Sequence, residues 1–188
     1  MPSFRLFVSI DTPPHIKPQI AAIRDQLKES GADVKWEPDE KLHATLKFLC
    51  QTDERLLPEI VSIGRGVCKT FTPLHVKYTR VGCFPNRRAP RIIWVGLDDL
   101  SGNMGLLQQQ VETGMVPLGF KREEREFHSH ITLGRVKSEK RIESLLRMME
   151  SITFESPPVV IKEIMLVKSD LMPSGSVYTT LNTFPLTA

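Results

Sequence analysis

The second half of this 188-residue chain repeats the order of the first half, and this repeat restricts the fold more than any other feature. The string FRLFVSID aligns with IIWVGLDD at an offset of 88 (92 − 4), and HATL at His43 aligns with HITL at His130 at an offset of 87 (130 − 43). Segments beginning at Thr70 and Thr153 align at an offset of 83 (153 − 70). Three segments in one order at nearly constant spacing indicate two copies of a strand–helix–strand–helix–strand unit.

The composition is compatible with two such units in one domain. Hydrophobic residues make up 40% of the chain and charged residues 25%, a balance typical of globular proteins. The chain is long enough to bury one substantial core or two small ones. We therefore predict a single domain of two lobes, about residues 1–86 and 87–188, packed about a pseudo-two-fold axis.

Apolar periodicity predicts the elements within each unit. Pro13 and Pro14 mark the start of a first helix, and Asp53 is positioned to cap a second. Helices are expected over about 13–29, 54–68, 103–113 and 139–150. Strands are expected over about 3–11, 34–36, 41–49, 71–84, 91–99, 154–170 and 177–186, with one more at His130.

The strand KLHATLKFL places an unusual set of polar side chains on one face. Strand side chains alternate between faces, so His43, Thr45 and Lys47 are expected to lie together. The intervening apolar residues are expected to face the core: Leu42, Ala44, Leu46 and Phe48. In the second copy His130 and Thr132 have the same relation, and the pseudo-symmetry would bring the two pairs face to face across one groove.

Two histidines and two threonines in such a groove are suited to cleaving a phosphodiester. Histidine has an ordinary pKa near 6.5, so a pair can act as base and acid in one displacement. Threonine hydroxyls beside the imidazoles can donate hydrogen bonds to the non-bridging oxygens of a phosphate. The residues alone do not decide which histidine is the acid. The mechanism needs no metal and no cofactor.

A metal site is the main alternative interpretation of the second motif. Glu126, His128 and His130 alternate onto one strand face, and two histidines two residues apart are a plausible pair of metal ligands. The repeat argues against this alternative, because Lys41 stands in the first copy where His128 stands in the second. Lys47 is expected to be solvated rather than catalytic.

Charge and cysteine content limit the class of protein. The net charge is +3 and the pI about 8.8, which permits an anionic partner but is far below the charge of a non-specific nucleic-acid coat. Three separated cysteines without a CxxC motif indicate reduced thiols. No signal peptide or membrane-spanning run is evident, so we expect a cytoplasmic protein, and nothing in the sequence demands more than a monomer.

The strings HATL and HITLGR resemble the paired HxTx motifs of the two-histidine phosphoesterase superfamily. The most similar branch is the bacterial and archaeal RNA 2′,3′-cyclic phosphodiesterases, also called 2′-5′ RNA ligases. The resemblance extends over nearly the whole chain and includes RLFVSID, LHATLKFL, FPNRRAPRIIWVGL and FHSHITLGRV. It implies a bilobal α+β fold, in which each lobe has an antiparallel sheet backed by helices and the active site lies in the groove between the lobes.

The resemblance also implies an activity and roles for individual residues. The reaction would be hydrolysis of an RNA 2′,3′-cyclic phosphate, such as the end of a tRNA fragment, to a 2′-phosphomonoester. His43 would be the general acid and His130 the general base, while Thr45 and Thr132 would bind phosphate oxygens. Reversal with an RNA 5′-hydroxyl in place of water would give a 2′-5′ linkage without ATP.

Arg135 follows HITLG where this branch usually carries an arginine that can bind phosphate, and a surface salt bridge is the alternative role. Strict alternation would put it on the core face, so either Gly134 marks a bulge or the strand ends there. Ser129 stands where the branch commonly has proline, and Cys50 where it commonly has glycine. Both departures flank the site and bear on loop geometry.

Two other functions are compatible with the same groove. One is hydrolysis of a small cyclic nucleotide, a 2′-5′ oligonucleotide or an ADP-ribose cyclic phosphate. The other is RNA binding without catalysis, against which the intact histidines of both motifs argue. Arg87, Arg88 and Arg91 form a basic cluster between the lobes that would either steer an RNA backbone or remain solvated.

Overall fold

The computed structural model describes residues 3–173 and 175–188, which form an antiparallel sheet backed by four helices. The strands are β1 (Ser3–Asp11), β2 (Val34–Trp36), β3 (His43–Asp53), β4 (Leu74–Phe84), β5 (Ile92–Asp99), β6 (His130–Val136), β7 (Val159–Ile161), β8 (Glu163–Met172) and β9 (Gly175–Pro185). The helices are α1 (Lys17–Lys28), α2 (Leu57–Cys68), α3 (Met104–Met115) and α4 (Ile142–Ser151). The predicted bilobal α+β fold is confirmed.

The strand order relates the two halves of the sheet by a pseudo-two-fold axis. The order is β7-β4-β5-β6-β3-β1-β8-β9, and β2 pairs with β6 beyond the end of the β3–β6 contact. β3 and β6, which carry the two histidine motifs, are the central neighbours. β4 from the first half of the chain lies beside β5, whereas β8 from the second half lies beside β1, with β9 on its outer side.

The strand register corrects one of the predicted repeat offsets. Ile10 pairs with Ala44, and Val95 pairs with Ile131, so Ile10 and Val95 are equivalent and the offset is 85 (95 − 10), not 88. The strings FRLFVSID and IIWVGLDD are both apolar with a polar end, so composition did not distinguish alignments three residues apart. The boundary between the two lobes near residue 86 remains a prediction from the sequence repeat.

Most predicted elements are present with shifted ends. Pro13 and Pro14 form a turn before α1 rather than its first residues, and α1 begins at Lys17. Asp53 accepts a hydrogen bond from the Arg55 backbone N–H, and so it caps the 3₁₀ turn Glu54–Leu56 that precedes α2 rather than α2 itself. The single strand expected over 154–170 is two strands, β7 and β8, separated at Lys162.

The core lies between the helices and one face of the sheet. Leu42, Ala44, Leu46, Ile131 and Leu133 are all buried in one continuous apolar cluster with residues of every helix. The opposite face of β3 and β6 therefore remains open to form the predicted groove. The longest helices have 12 residues, so none in the part of the chain that the structure describes could traverse a bilayer.

Candidate active site

His43 and His130 lie on neighbouring antiparallel strands at the centre of the sheet. Ala44 of β3 pairs with Ile131 of β6, which places His43 opposite Thr132 and Thr45 opposite His130. Because Ala44 and Ile131 point into the core, the four polar side chains share the open face. Cβ atoms of opposite residues are about 5 Å apart and those of diagonal residues about 7–8 Å, so one phosphate group can contact all four.

The His43 ring is packed against aromatic rings of β1 and β9. Phe7 stacks on it, with ring centroids 5.0 Å apart and an interplanar angle of 23°, and Tyr178 meets it edge-on at 5.4 Å. Burial lowers the pKa of His43 to about 4, although a hydrogen bond to the Lys41 carbonyl opposes the change. The imidazole is therefore neutral at pH 7 in the free protein.

The His130 ring has a corresponding environment in the other lobe. Phe84 meets it edge-on with centroids 4.9 Å apart, and Trp94 lies 6.4 Å away. Its Nδ1 donates a hydrogen bond to the His128 carbonyl at 2.6 Å, and burial lowers its pKa below the ordinary value. In both copies the carbonyl two residues before the histidine holds the ring, and in His130 this leaves Nε2 as the nitrogen available for proton transfer.

Matching β-bulges interrupt the predicted alternation of both histidine strands. Leu46 is the extra residue between the Ser9–Thr45 and Val8–Lys47 pairs, and the register of β5 with β6 shifts in the same way at Leu133. The two bulges are 87 residues apart (133 − 46), like the two histidines. A bulge reverses the faces of the residues that follow it. Arg135 is therefore exposed, which agrees with the bulge considered from sequence.

The first bulge makes two predictions for KLHATLKFL wrong. Phe48 was expected in the core, but it is 60% exposed and lies on the same face as Phe7, with ring centroids 6.3 Å apart. Lys47 was expected to be solvated, but it is 4% exposed. Its ammonium lies 2.5 Å from a carboxylate oxygen of Glu112 on α3. The alternating pattern is correct through Thr45 and fails after the extra residue.

Arg135 lies next to a carboxylate, and its charge acts on the pKa of His130. Its Nε is 3.7 Å from Oε1 of Glu37, and about half of its side chain is exposed. Its charge and that of Glu37 both act on the pKa of Tyr178, the residue packed on His43. The guanidinium therefore has free donors close to the histidine pair, while the predicted salt bridge is also present.

A cavity of about 500 Å³ opens beside His130. It is lined by Phe84, Trp94, Phe127 and His128, with Arg80 and Asp99 as charged residues in its wall. The indole of Trp94 lies directly over Gly82, where an added Cβ would approach the ring to 2.2 Å. The glycine thus allows the aromatic ring to lie flat against the sheet. The volume is that of a site for a small organic molecule such as a nucleoside.

The residues of the alternative metal site do not converge. His128 Nε2 is 3.8 Å from Glu126 Oε2, and both side chains are largely exposed. Among residues 3–173 and 175–188, no group of three or more histidine, cysteine or acidic side chains is arranged to hold a metal ion. His130 Nδ1 donates a hydrogen bond to the backbone carbonyl of His128. This bond to the backbone connects the two histidines, and a common metal ion does not.

The basic cluster is divided between structural and exposed residues. Arg87 donates to the Leu146 carbonyl at 3.2 Å and pairs with Glu150 at 2.7 Å, so it attaches the loop to α4. Arg88 and Arg91 are exposed.

The two departures from the usual pattern are accommodated locally. Cys50 has a φ of 55°, a left-handed conformation that glycine adopts at lower cost, and it follows a second irregularity of β3. Ser129 donates from its hydroxyl to the sulfur of Met104 on α3 at 2.8 Å.

Several residues around the histidines were not identified from the sequence. Phe7, Tyr178, Phe84 and Trp94 contact the imidazoles from four different strands. The only sequence signal was the repeat itself, which predicts that strands flanking β3 and β6 also flank the groove. It could not show which of their residues point inward.

A sequence model of the LigT like Phosphoesterase family matches the chain twice, at residues 10–94 and 95–178. A protein of Methanocaldococcus jannaschii named RNA 2′,3′-cyclic phosphodiesterase is 34% identical over 93% of this chain and 96% of its own. A protein of Methanothermobacter thermautotrophicus with the same name is 31% identical over 97% and 98% of the two chains.

Solved structures have the same fold. The crystal structure of TT0787 of Thermus thermophilus superposes with a TM-score of 0.79 at 25% identity, covering 97% of this chain and 98% of the other. The crystal structure of Escherichia coli LigT complexed with 3′-AMP has a TM-score of 0.73 at 23% identity and covers both chains completely. The second similarity concerns the fold alone.

Proposed function

This chain belongs to the LigT-like phosphoesterase family, and on that premise we propose that it hydrolyses RNA 2′,3′-cyclic phosphodiesters to 2′-phosphomonoesters. The observation that carries the proposal is the central register, in which two histidines and two threonines face one another across the Ala44–Ile131 pair. The names of its relatives indicate the substrate class.

In the proposed reaction the two histidines exchange protons with the two oxygens in line with phosphorus. Neutral His130 removes a proton from water as the water oxygen bonds to phosphorus. The bond from phosphorus to the 3′-oxygen breaks, and protonated His43 gives its proton to that oxygen. The 2′-ester bond remains. His43 is assigned as the acid from the family resemblance, while the geometry provides a proton carrier on each side of the phosphate.

The threonines and Arg135 stabilise the phosphate during this displacement. Hydroxyls of Thr45 and Thr132 donate to the non-bridging oxygens, whose charge must be held in the transition state. The exposed guanidinium of Arg135 adds a positive charge whose field reaches His130. With protonated histidine and arginine present, the proposed mechanism requires no metal ion.

The lowered histidine pKa values connect substrate binding to proton uptake. Burial favours neutral imidazole at both positions, which suits the base but not the acid. A phosphate anion next to His43 favours the charged form and raises its pKa, so the acid is loaded when the substrate binds. Profiles of kcat/KM, which report the free enzyme, should therefore be bell-shaped with an optimum below neutrality, and those of kcat should lie at higher pH.

The cavity beside His130 and exposed Arg88 and Arg91 support a nucleic-acid substrate rather than a small phosphate ester. The cavity can hold one base between aromatic walls, and the arginines can contact a backbone beyond it. Reverse 2′-5′ ligation uses the same groups with an RNA 5′-hydroxyl in place of water. We expect the active unit to be a monomer that acts on RNA in the cytoplasm.

Hydrolysis of a short RNA ending in a 2′,3′-cyclic phosphate, measured in EDTA, tests the proposal. We expect wild type to form the 2′-phosphate, His43→Ala and His130→Ala to lose at least about 10³-fold in kcat/KM, and exposed His75→Ala to retain activity. Activity that EDTA abolishes would favour the metal alternative. A wild type that cleaves only small cyclic nucleotides or 2′-5′ oligonucleotides would reassign the substrate, and one that binds RNA without cleaving it would refute catalysis.

A further inference from the structure

A buried ion pair outside both histidine motifs holds the segment that leads into His130. Residues 119–129 contain no helix or strand. Lys47 Nζ lies 2.5 Å from Glu112 Oε2 and donates to the Lys121 carbonyl at 2.9 Å. The same carboxylate oxygen accepts the Glu123 backbone N–H at 3.4 Å. The side chains of Lys47 and Glu112 are only 3% and 9% exposed. Each of these buried charged groups also makes one hydrogen bond to the backbone of the segment.

The ion pair begins on the histidine strand of the opposite lobe. Lys47 is two residues after Thr45, and the bulge at Leu46 turns it toward α3. α3 also contacts the bulge directly, because Gln108 Nε2 donates to the Leu46 carbonyl and to Glu112 Oε1, each at 3.4 Å. At the equivalent position of β6 the residue is Gly134, so the second copy cannot form a corresponding pair.

The other end of the segment carries the group that orients His130. The Ser129 carbonyl accepts the Leu97 backbone N–H at 3.1 Å, which attaches the segment to β5. One residue earlier, the His128 carbonyl accepts from His130 Nδ1. The segment is thus fixed near 121–123 by the ion pair and at 129 by β5, and the wall of the His130 cavity lies between these points.

We propose that the Lys47–Glu112 pair is an inter-lobe tie that positions segment 119–129 and thereby sets the orientation of His130 relative to His43. Lys47 and Glu112 are positioning residues, since they act through the His128 carbonyl and not on the substrate. The catalytic consequence rests on the proposed function of His130; the structural one does not.

Apolar replacement of both partners separates positioning from simple stabilisation. Removing one partner leaves a buried unpaired charge and destabilises the fold, whereas replacing both with apolar residues of similar volume is often neutral or stabilising. Lys47→Met/Glu112→Leu therefore keeps a packed core but loses the bonds to the Lys121 carbonyl and the Glu123 N–H. The exposed pair Lys77–Glu155, also 2.5 Å apart, provides the control variant Lys77→Met/Glu155→Leu.

Amide hydrogen exchange and histidine titration by NMR measure the effect without reference to activity. In the Lys47→Met/Glu112→Leu variant we expect amides of 120–129 to exchange at least about 10-fold faster. The pKa of His130 should fall, because the His128 carbonyl bond favours its charged form. The charged or titratable groups that act on His130, namely His43, His128 and Arg135, are unchanged in this variant. His43, held by Lys41, should titrate as in wild type.

The same variant should lose about 10-fold to 100-fold in kcat on cyclic-phosphate RNA with a smaller change in KM, while the control variant matches wild type. The proposal would be refuted by a folded double variant in which the amide exchange rates, the pKa of His130 and kcat all equal those of wild type. The ion pair would then be a stabilising contact only. If wild type fails to cleave this RNA, the proposed function fails instead, and exchange and titration still decide whether the tie exists.

Discussion

Replacing His43 with glutamine should reduce the loss of stability that the protein suffers at acid pH. Burial lowers the pKa of His43 from 6.5 to about 4 in the folded protein. Between these values the unfolded chain binds a proton at His43 that the folded protein does not, so the free energy of unfolding rises with pH across this window. Below pH 4 both states are protonated, and the full destabilisation is present.

The size of the effect follows from the difference between the two pKa values. A fall from 6.5 to about 4 corresponds to about 3 kcal/mol in the free energy of unfolding between pH 7 and pH 4. The ring is partly exposed in the groove, and solvent screening reduces the expected value to about 2 kcal/mol. Acidic groups also titrate in this range, and they contribute equally to wild type and variant.

Urea unfolding at intervals from pH 7.5 to pH 4 measures the difference. We expect the wild-type free energy of unfolding to fall by about 2 kcal/mol more than that of His43→Gln, whatever the offset between the proteins at pH 7. His75→Gln, a change at an exposed histidine, should give a curve parallel to wild type. Parallel curves for wild type and His43→Gln would refute the buried neutral imidazole and with it the proposed proton uptake on phosphate binding.

Three further substitutions test the groove. Thr132→Val keeps the side-chain shape and removes a donor, so kcat on cyclic-phosphate RNA should fall about 10²-fold to 10³-fold with an unchanged melting temperature; a wild-type kcat would contradict phosphate contact. Gly82→Ala would push the Trp94 indole aside, which should lower the melting temperature by several degrees and raise KM; a wild-type melting temperature and KM would contradict close packing of the ring on Gly82. Arg135→Gln should raise KM and weaken the dependence of KM on salt concentration. An unchanged salt dependence would mean that Arg135 only forms the ion pair with Glu37 and does not contact the substrate.

The sequence predicted the elements that depend on local periodicity and the residues that depend on the repeat. β1, β2, β5 and all four helices lie close to their expected positions because each has a continuous apolar pattern. His43 and His130 were predicted to lie together because the repeat relates their motifs by a pseudo-two-fold axis, and the structure has their strands, β3 and β6, as central neighbours. The offset of 83 for the third segment also agrees with the register, since Phe84 pairs with Ile92 as Val167 pairs with Phe7.

What the sequence could not predict is where one strand gains a residue relative to its neighbour. A bulge has no signature in the sequence of this strand, because the polar and apolar residues of KLHATLKFL alternate regularly to its end. The extra residue at Leu46 nevertheless exchanges the faces of Lys47 and Phe48. A buried lysine is also contrary to the usual distribution of charges, and it becomes explicable only when Glu112, 65 residues away, is found beside it.

The matching bulges also make the two sides of a pseudo-symmetric groove different. Equivalent backbone positions after each bulge carry Lys47 and Phe48 in one copy and Gly134 and Arg135 in the other. One lobe therefore turns Lys47 inward to hold the segment before His130, and the other turns Arg135 outward beside Glu37, where its charge acts on Tyr178 and His130. The proposed mechanism needs different surroundings for its acid and its base, and on that proposal the two residues that follow each bulge help to provide the difference.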